Sequence, residues 1–207
     1  MLISSKSRKA VVLGAAALML TACSQGSDSG APSVAWIKEK ARVAGAAGAS
    51  KCPVPFDIAA AAKAAGYNGG AGAGTEHPAA TGFVDGASDT PTSQADGAML
   101  ECVYRLDSRT LHVYTVGAGK GPAVGLLYPR LAADAGMTSA EMTPWLNKAV
   151  VADRGRTVPM PGRTVVTERL PMEGAGDVAL TLSLGEHAKA DPLLERLTKE
   201  LAAQAKP

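Results

Sequence analysis

Cysteine and histidine, two residue types that often act as nucleophiles, bases or metal ligands, are few in this 207-residue chain and are widely spaced. There are three cysteines, Cys23, Cys52 and Cys102, and three histidines. No Cys-x-x-Cys pair occurs and no run of histidines lies near a cysteine, so neither a metal site nor another cofactor is expected. A catalytic thiol or a metal-binding pair at Cys52 and Cys102 remains the less favoured alternative.

The histidines do not fit a catalytic pattern either. His77 lies beside Glu76 in a glycine-rich stretch, His112 begins a predicted strand, and His187 follows another predicted strand. No G-x-S-x-G, S-x-x-K or H-E-x-x-H motif accompanies them. Solvated or structural roles are therefore favoured, and the chain is not predicted to be an enzyme. A cell-wall hydrolase is the enzymatic alternative.

The amino-terminal segment has the form of a secretory signal. Lys6, Arg8 and Lys9 precede an apolar run over residues 10–20. A basic head followed by a short apolar core is typical of exported proteins. The run is shorter than the roughly 20 apolar residues that a membrane-spanning helix needs, so a permanent membrane helix is the less favoured reading.

The end of this signal, Leu20-Thr21-Ala22-Cys23, resembles the lipobox of bacterial lipoproteins. The resemblance implies diacylglyceryl transfer to the Cys23 thiol, cleavage before Cys23 and acylation of the new amino terminus. The alternative is an ordinary signal peptide with an unmodified cysteine. The expected organisation is a signal peptide over 1–22, a lipidated cysteine with a flexible polar tether over 23–33, and a single globular domain over 34–207.

Two cysteines remain once Cys23 is assigned to an anchor. Outside the cytoplasm such a pair is free to oxidise, so we predict a disulfide between Cys52 and Cys102. Charge disfavours a nucleic-acid partner, because the formal charge of +2 falls to −1 once Lys6, Arg8 and Lys9 are set aside.

Local signals predict helices alternating with two hairpins. Residues 99–106 and 111–116 alternate between apolar and polar side chains, as do 163–170 and 177–184, so each pair predicts a hairpin. Residues 67–97 are rich in Gly, Ala, Ser and Thr and predict a long loop. The fold class expected is α+β, with an antiparallel sheet of two hairpins and helices packed against one face. Helices are expected over 33–47, from Asp57 to Gly66, over 122–135, from Thr138 or Thr143 to about 152, and from Asp191.

The predicted strand over residues 163–170 and the connector before it contain four arginines: Arg154, Arg156, Arg163 and Arg169. They are candidates for binding anionic wall polymer or lipid head groups. The alternative is a solvated charged edge that deters strand pairing.

The lipobox, the segments Lys51-Cys52-Pro53 and Glu101-Cys102-Val103-Tyr104, and the Ala/Gly-rich composition together resemble small extracytoplasmic lipoproteins of actinobacteria. The resemblance implies a location on the outer face of the cell membrane and a two-cysteine domain, but no active-site residues. We therefore expect a membrane-anchored, non-enzymatic module that binds an envelope polymer, a lipid or a partner protein. A passive structural surface lipoprotein is the alternative.

Overall fold

The structure, a computed structural model, describes residues 30–47, 49–74, 79–84, 91–162, 164–185 and 191–207. Its centre is a seven-stranded antiparallel sheet. The order across the sheet is β1-β3-β4-β7-β6-β5. Strand β2 shares one edge of β3 with β1: β1 pairs with residues 104–106 of β3, and β2 pairs with residues 98–102. The strands are β1 Ala71–Ala73, β2 Ala80–Val84, β3 Gly97–Leu106, β4 Arg109–Ala118, β5 Thr157–Pro159, β6 Val165–Arg169 and β7 Asp177–Ser183.

Both predicted hairpins are confirmed, and they are joined into one sheet. Strands β3 and β4 pair from Gly97↔Ala118 to Leu106↔Arg109. A two-residue turn connects them, with Asp107 in the left-handed region at φ 53°. Strands β6 and β7 form the second hairpin, and β7 then pairs with β4. Hydrogen bonding between β4 and β7 therefore makes a single sheet of the two hairpins.

Most helices begin and end where local sequence signals place them, but the helix expected over 122–135 begins only at Tyr128 and follows a 3₁₀ turn over Ala123–Leu127. The Thr138 hydroxyl and the Glu141 carboxylate form the capping box that starts α5. Gly136 ends α4 in the left-handed conformation, at φ 56°. Pro129 lies in the first turn of α4, where a missing N–H costs no hydrogen bond. Among the described residues the helices are α1 Val34–Ala47, α2 Ile58–Ala64, α3 Pro91–Gln94, α4 Tyr128–Ala135, α5 Ser139–Val151 and α6 Pro192–Gln204, with a 3₁₀ turn over Ala123–Leu127.

The α+β class with an antiparallel sheet is confirmed, and the structure adds a second layer of helices to the single layer expected. Leu100, Cys102 and Leu106 of β3 face a core formed with α1, α2 and α6. Tyr114 and Val116 of β4 lie on the opposite face, in a second core formed with the 3₁₀ turn, α4 and α5. Side chains alternate between the two faces of a strand, so both sides of this sheet are buried.

The prediction of one long loop over residues 67–97 is wrong for the part that the structure describes. Strands β1 and β2 and the short helix α3 lie there. The segment is poor in large apolar residues, so its strands are held by backbone pairing along the edge of β3. Such pairing leaves little trace in the sequence, because backbone hydrogen bonds do not depend on side-chain type.

The predicted disulfide between Cys52 and Cys102 is present, with a Cα–Cα distance of 5.5 Å. Cys102 is fully buried in β3, and Cys52 packs against the same core in the segment that leads into α2. The bond thus joins that segment to the centre of the sheet. Within the described residues, no helix is both long and apolar enough to span a bilayer.

Candidate functional site

The four candidate arginines are not brought together in one pocket. Arg163, like Cys23, lies outside the described residues. Arg169 donates from Nε and Nη2 to Oδ1 of Asp177, at 3.0 and 2.9 Å, and from Nη1 to the Ala152 carbonyl at 2.8 Å. Arg154 donates to the Gly176 carbonyl at 3.1 Å. Both arginines thus stabilise the loops around the β6–β7 hairpin.

Arg156 has a different environment from these two. It is exposed and lines a pocket of about 440 Å³ with Lys148 and Asp153. Two cations and one carboxylate line this pocket, so an anion bound there would meet partly compensated positive charge. Among the described candidate arginines, Arg156 is thus the one placed at a pocket, and its role in ligand binding stays a prediction.

A cluster of charged and polar side chains lies between the sheet and α4. Oε1 of Glu101 accepts hydrogen bonds from Nδ1 of His112 at 2.8 Å and from Nη2 of Arg130 at 2.9 Å. The Tyr114 hydroxyl donates to Oδ2 of Asp134 at 2.5 Å. Arg130 and Asp134 belong to α4, whereas the other three residues belong to β3 and β4. The cluster therefore fastens α4 to the sheet.

The charges in this cluster compensate one another. Burial alone would raise the pKa of Glu101, but the hydrogen bond from His112 and the charge of Arg130 outweigh burial and hold that pKa below its usual value. Burial would lower the pKa of His112, but the hydrogen bond and negative charge of Glu101 outweigh it and raise that pKa. Each charged group faces an opposite charge, which is the arrangement of a structural ion-pair network. His112 lines none of the five pockets described for this part of the chain.

These shifts predict how the Glu101–His112 pair contributes to stability as pH changes. Because the pKa of Glu101 is lowered in the folded state, its contribution to the unfolding free energy is fully present above pH 4.5. That contribution is lost as the pH falls through the folded-state pKa. Because the pKa of His112 is raised in the folded state, its contribution to the unfolding free energy is fully present below pH 6.5. That contribution is lost as the pH rises through the folded-state pKa. Urea denaturation at several pH values should therefore show the largest contribution of the pair between these two limits.

The variant His112→Gln isolates the alkaline half of this dependence, because glutamine offers a donor but cannot become charged. It should be less stable than the wild type at pH 5.5, and the difference should shrink as pH rises above 6.5. Glu39→Gln, which changes an exposed carboxylate, is the control and should leave that dependence unchanged. A stability difference between wild type and His112→Gln that stays constant from pH 5.5 to pH 9 would contradict the prediction.

The site with the clearest capacity to bind a ligand is a pocket beside Glu168. Its volume is about 320 Å³. It lies between the carboxyl-terminal half of α6, the end of β6 and residues 30–32, which lead into α1. The Glu173 amide donates to the Pro32 carbonyl at 3.1 Å, so the leading segment is tied to the β6–β7 loop. The side chains that form its walls include Leu170, Pro171, Ala202, Ala203, Glu168 and Lys199.

Glu168 is the unusual residue in this pocket. It is only 5% exposed, and its Oε2 atom is buried with no hydrogen-bond partner among the described residues. Burial raises the pKa of the Glu168 carboxyl, and the nearby charge of Lys199 opposes that rise without removing it. A buried carboxylate that lacks a hydrogen-bond donor is costly, and native proteins rarely keep one without a reason. The burial of Glu168 is therefore the feature of this pocket that most needs an explanation.

The pocket combines a buried negative charge with positive charge at its exposed side. Lys199 and Lys206 line it and are exposed to solvent, and no ion pair joins Lys199 to Glu168 in the described part of the chain. The remaining wall is largely aliphatic. Such a pocket can bind a small molecule that has a hydrogen-bond donor at one end, an anionic group and an apolar portion. No group of His, Cys, Asp or Glu in that same part of the chain could hold a metal ion.

Glu168 was missed as a site residue although the sequence carries a signal for it. In the predicted strand 163–170, Val166, Glu168 and Leu170 share one face because side chains alternate. Val166 and Leu170 are buried, so the alternation places a carboxylate on an apolar face. The rest of the pocket comes from residues 30–32 and 199–206, which lie far apart in the sequence and which no local pattern could bring together.

Comparison with protein-family models, with curated proteins and with solved structures found no match for this chain.

Proposed function

We propose that this protein is a lipid-anchored lipoprotein on the outer face of the cell membrane, and that it binds an envelope component in the pocket beside Glu168 without acting as an enzyme. The observation that carries the binding role is a pocket of about 320 Å³ lined by Glu168, a buried carboxylate whose Oε2 has no hydrogen-bond partner among the described residues. A passive surface protein would gain nothing from that arrangement. An uncompensated buried carboxylate lowers stability, and binding a ligand can offset that cost.

The lipobox supports the anchor, and an anchor at Cys23 would lie within a short length of chain of the pocket. Cys23 lies seven residues before Gly30, which lines the pocket. Seven residues reach at most about 25 Å even when fully extended. Two or three acyl chains on Cys23 would hold the protein on the membrane surface. In that case the pocket would stay close to the lipid head groups and to the innermost part of the envelope.

One experiment tests anchoring and binding together. The full chain is expressed in a bacterium that processes lipoproteins, the membrane fraction is dissolved in mild detergent, and native mass spectrometry is used to detect bound small molecules. The wild type should be found in the membrane fraction, should carry acyl mass at Cys23 and should retain a ligand. Cys23→Ala should lose both the acyl mass and the membrane association.

Filling the pocket tests whether it holds the retained ligand. Ala203 is exposed and lines the pocket, so Ala203→Trp should occupy its volume and remove the ligand without disturbing the core. Ala140→Trp, on the exposed surface of α5, is the matched control and should retain it. Retention of the ligand by Ala203→Trp, or an unmodified Cys23 in the wild type, would refute the corresponding half of the proposal.

A further inference from the structure

We propose that the pocket beside Glu168 recognises a membrane lipid by a phosphoethanolamine head group, with the primary ammonium at Glu168 and the phosphate at Lys199 and Lys206. This inference rests on the proposed function, because it names the ligand of the same pocket. It follows from the charge, the burial and the composition of the pocket walls.

The carboxylate determines the first part of the ligand. Glu168 lines the pocket, and its Oε2 is buried without a hydrogen-bond partner in the described part of the chain. Rotation about the last side-chain bond of a glutamate is broad, so the carboxylate can turn an oxygen toward the pocket, and an ionised carboxylate can only accept hydrogen bonds. An ammonium group supplies both N–H donors and the opposite charge. Hydrogen bonds between charged groups are stronger than those between neutral groups, particularly where water is excluded.

The pocket wall indicates a primary ammonium and not a quaternary one. A choline head group has no N–H to donate, and proteins bind such groups with clusters of aromatic rings. Among the described residues, those that line this pocket include no Trp, Tyr, Phe or His. A trimethylammonium group would therefore give the Glu168 carboxylate no hydrogen-bond donor and would meet no aromatic face among the described lining residues.

The two lysines determine the second part of the ligand. Lys199 lies in α6 and Lys206 follows its end, and both line the exposed side of the pocket. Lysine ammonium groups bind phosphate as point charges. A ligand with an ammonium alone would bring a third positive charge to the pocket, whereas a phosphate on the same ligand faces the two lysines. The ligand that complements these charges is a zwitterion with its cation buried and its anion at the surface.

The remaining wall favours a lipid as the source of this head group. Leu170, Pro171, Ala202 and Ala203 offer aliphatic surface beside the charged groups, and acyl chains or a glycerol backbone can cover it. With Cys23 acylated, the chain leading into the pocket begins in the membrane, so lipids would be the most concentrated ligands available. A protein amine, such as an amino terminus or a lysine side chain, would bring no phosphate for Lys199 and Lys206.

The test uses the full-length lipoprotein in nanodiscs made only of phosphatidylglycerol. Three probes are titrated by calorimetry: dihexanoyl phosphatidylethanolamine, dihexanoyl phosphatidylcholine and free O-phosphoethanolamine. The ethanolamine lipid should bind about tenfold or more tightly than the choline lipid, since only the former donates hydrogen bonds to a buried charge. Free O-phosphoethanolamine should bind more weakly than the ethanolamine lipid, because it lacks the apolar portion.

Glu168→Gln is the decisive variant, because it keeps the shape of the side chain and removes its charge. It should abolish the preference for ethanolamine over choline, and its thermal unfolding should show a stability equal to or above that of the wild type, since it relieves an uncompensated buried carboxylate. Glu200→Gln, on the same helix but not lining the pocket, is the matched control and should keep the preference.

The outcomes separate this inference from the proposed function. Equal binding of the two lipids, with both lost in Ala203→Trp, would overturn the head-group inference and leave the binding pocket standing. A preference that survives Glu168→Gln would also overturn the head-group inference. Free O-phosphoethanolamine binding as tightly as the ethanolamine lipid would support the head-group chemistry and overturn the lipid as its source. If no probe binds and native mass spectrometry finds no ligand, both proposals fail.

Discussion

Replacing Gly82 with alanine should cost more than about 3 kcal/mol of unfolding free energy, which is a large part of the total stability of a domain of this size. Gly82 lies in β2 directly against α1. A Cβ atom at this position would lie 1.7 Å from the Ala41 carbonyl oxygen and 2.8 Å from the Ala41 Cα. Backbone atoms cannot rotate away from such a contact, so α1 would have to move.

Movement of α1 would disturb the larger of the two cores. Ile37, Ala41 and Ala44 are almost fully buried on the face of α1 that packs against the sheet. Gly45 is close to Gly82 as well, since a Cβ there would lie 2.9 Å from the Gly82 carbonyl oxygen. The helix and the strand thus approach each other through two glycines, and a displacement of α1 would expose apolar surface along its length.

Gly72→Ala provides the matched control for Gly82→Ala. Gly72 also lies in a strand that pairs with β3, but a Cβ at that position would meet no heavy atom within 4 Å. Its unfolding free energy in urea should therefore change by less than about 1 kcal/mol, because glycine in a strand is itself slightly unfavourable. Equal stability of the two variants would contradict the close approach of α1 and β2.

Reducing the Cys52–Cys102 disulfide should lower the unfolding free energy by about 4 kcal/mol. The bond closes a loop with a sequence separation of 50 residues, and in the chain-entropy model a loop of this length gives roughly that stabilisation. The loop contains β1 and β2, which offer few large apolar side chains of their own. Urea denaturation with and without a reductant measures the loss, and hydrogen exchange should show protection falling first in β1 and β2.

The double variant Cys52→Ala/Cys102→Ala serves as the control for reduction. It should be destabilised to a similar degree, and the reductant should not change its stability further. A shift of less than about 1 kcal/mol on reduction of the wild type would show that the cross-link contributes little. A strong dependence on the disulfide would agree with folding in an oxidising compartment, where such bonds persist.

The parts of the fold that the sequence predicted are those specified within a few residues. The capping box of Thr138 and Glu141 and the terminal Gly136 involve contacts across three or four positions, so their residue types are sufficient to place them. The alternation in β3 has the same local character. The disulfide is the exception, because it was predicted from the number of cysteines and from the expected compartment.

The candidate site could not be predicted in this way. Arg130 and Glu101 are 29 residues apart in the cluster beneath α4, and the pocket beside Glu168 combines residues from 30 to 206. The alternation over residues 99–106 predicts that Glu101 lies on the polar face of its strand, opposite the apolar side chains. It is 7% exposed because α4 and α5 cover that face of the sheet, and this second layer has no local signature.

Residue types alone were enough to indicate the lipobox resemblance, the pair of cysteines, the two hairpins and most helix ends, because each depends on neighbouring residues or on composition. The folded arrangement was needed to show that both faces of the sheet are covered, that β1 and β2 pair along β3, and that Glu168 lines a pocket together with Lys199. These features arise from backbone pairing and from contacts between distant segments. Their energies depend on burial and on the spatial arrangement of charges, which the order of residues along the chain does not display.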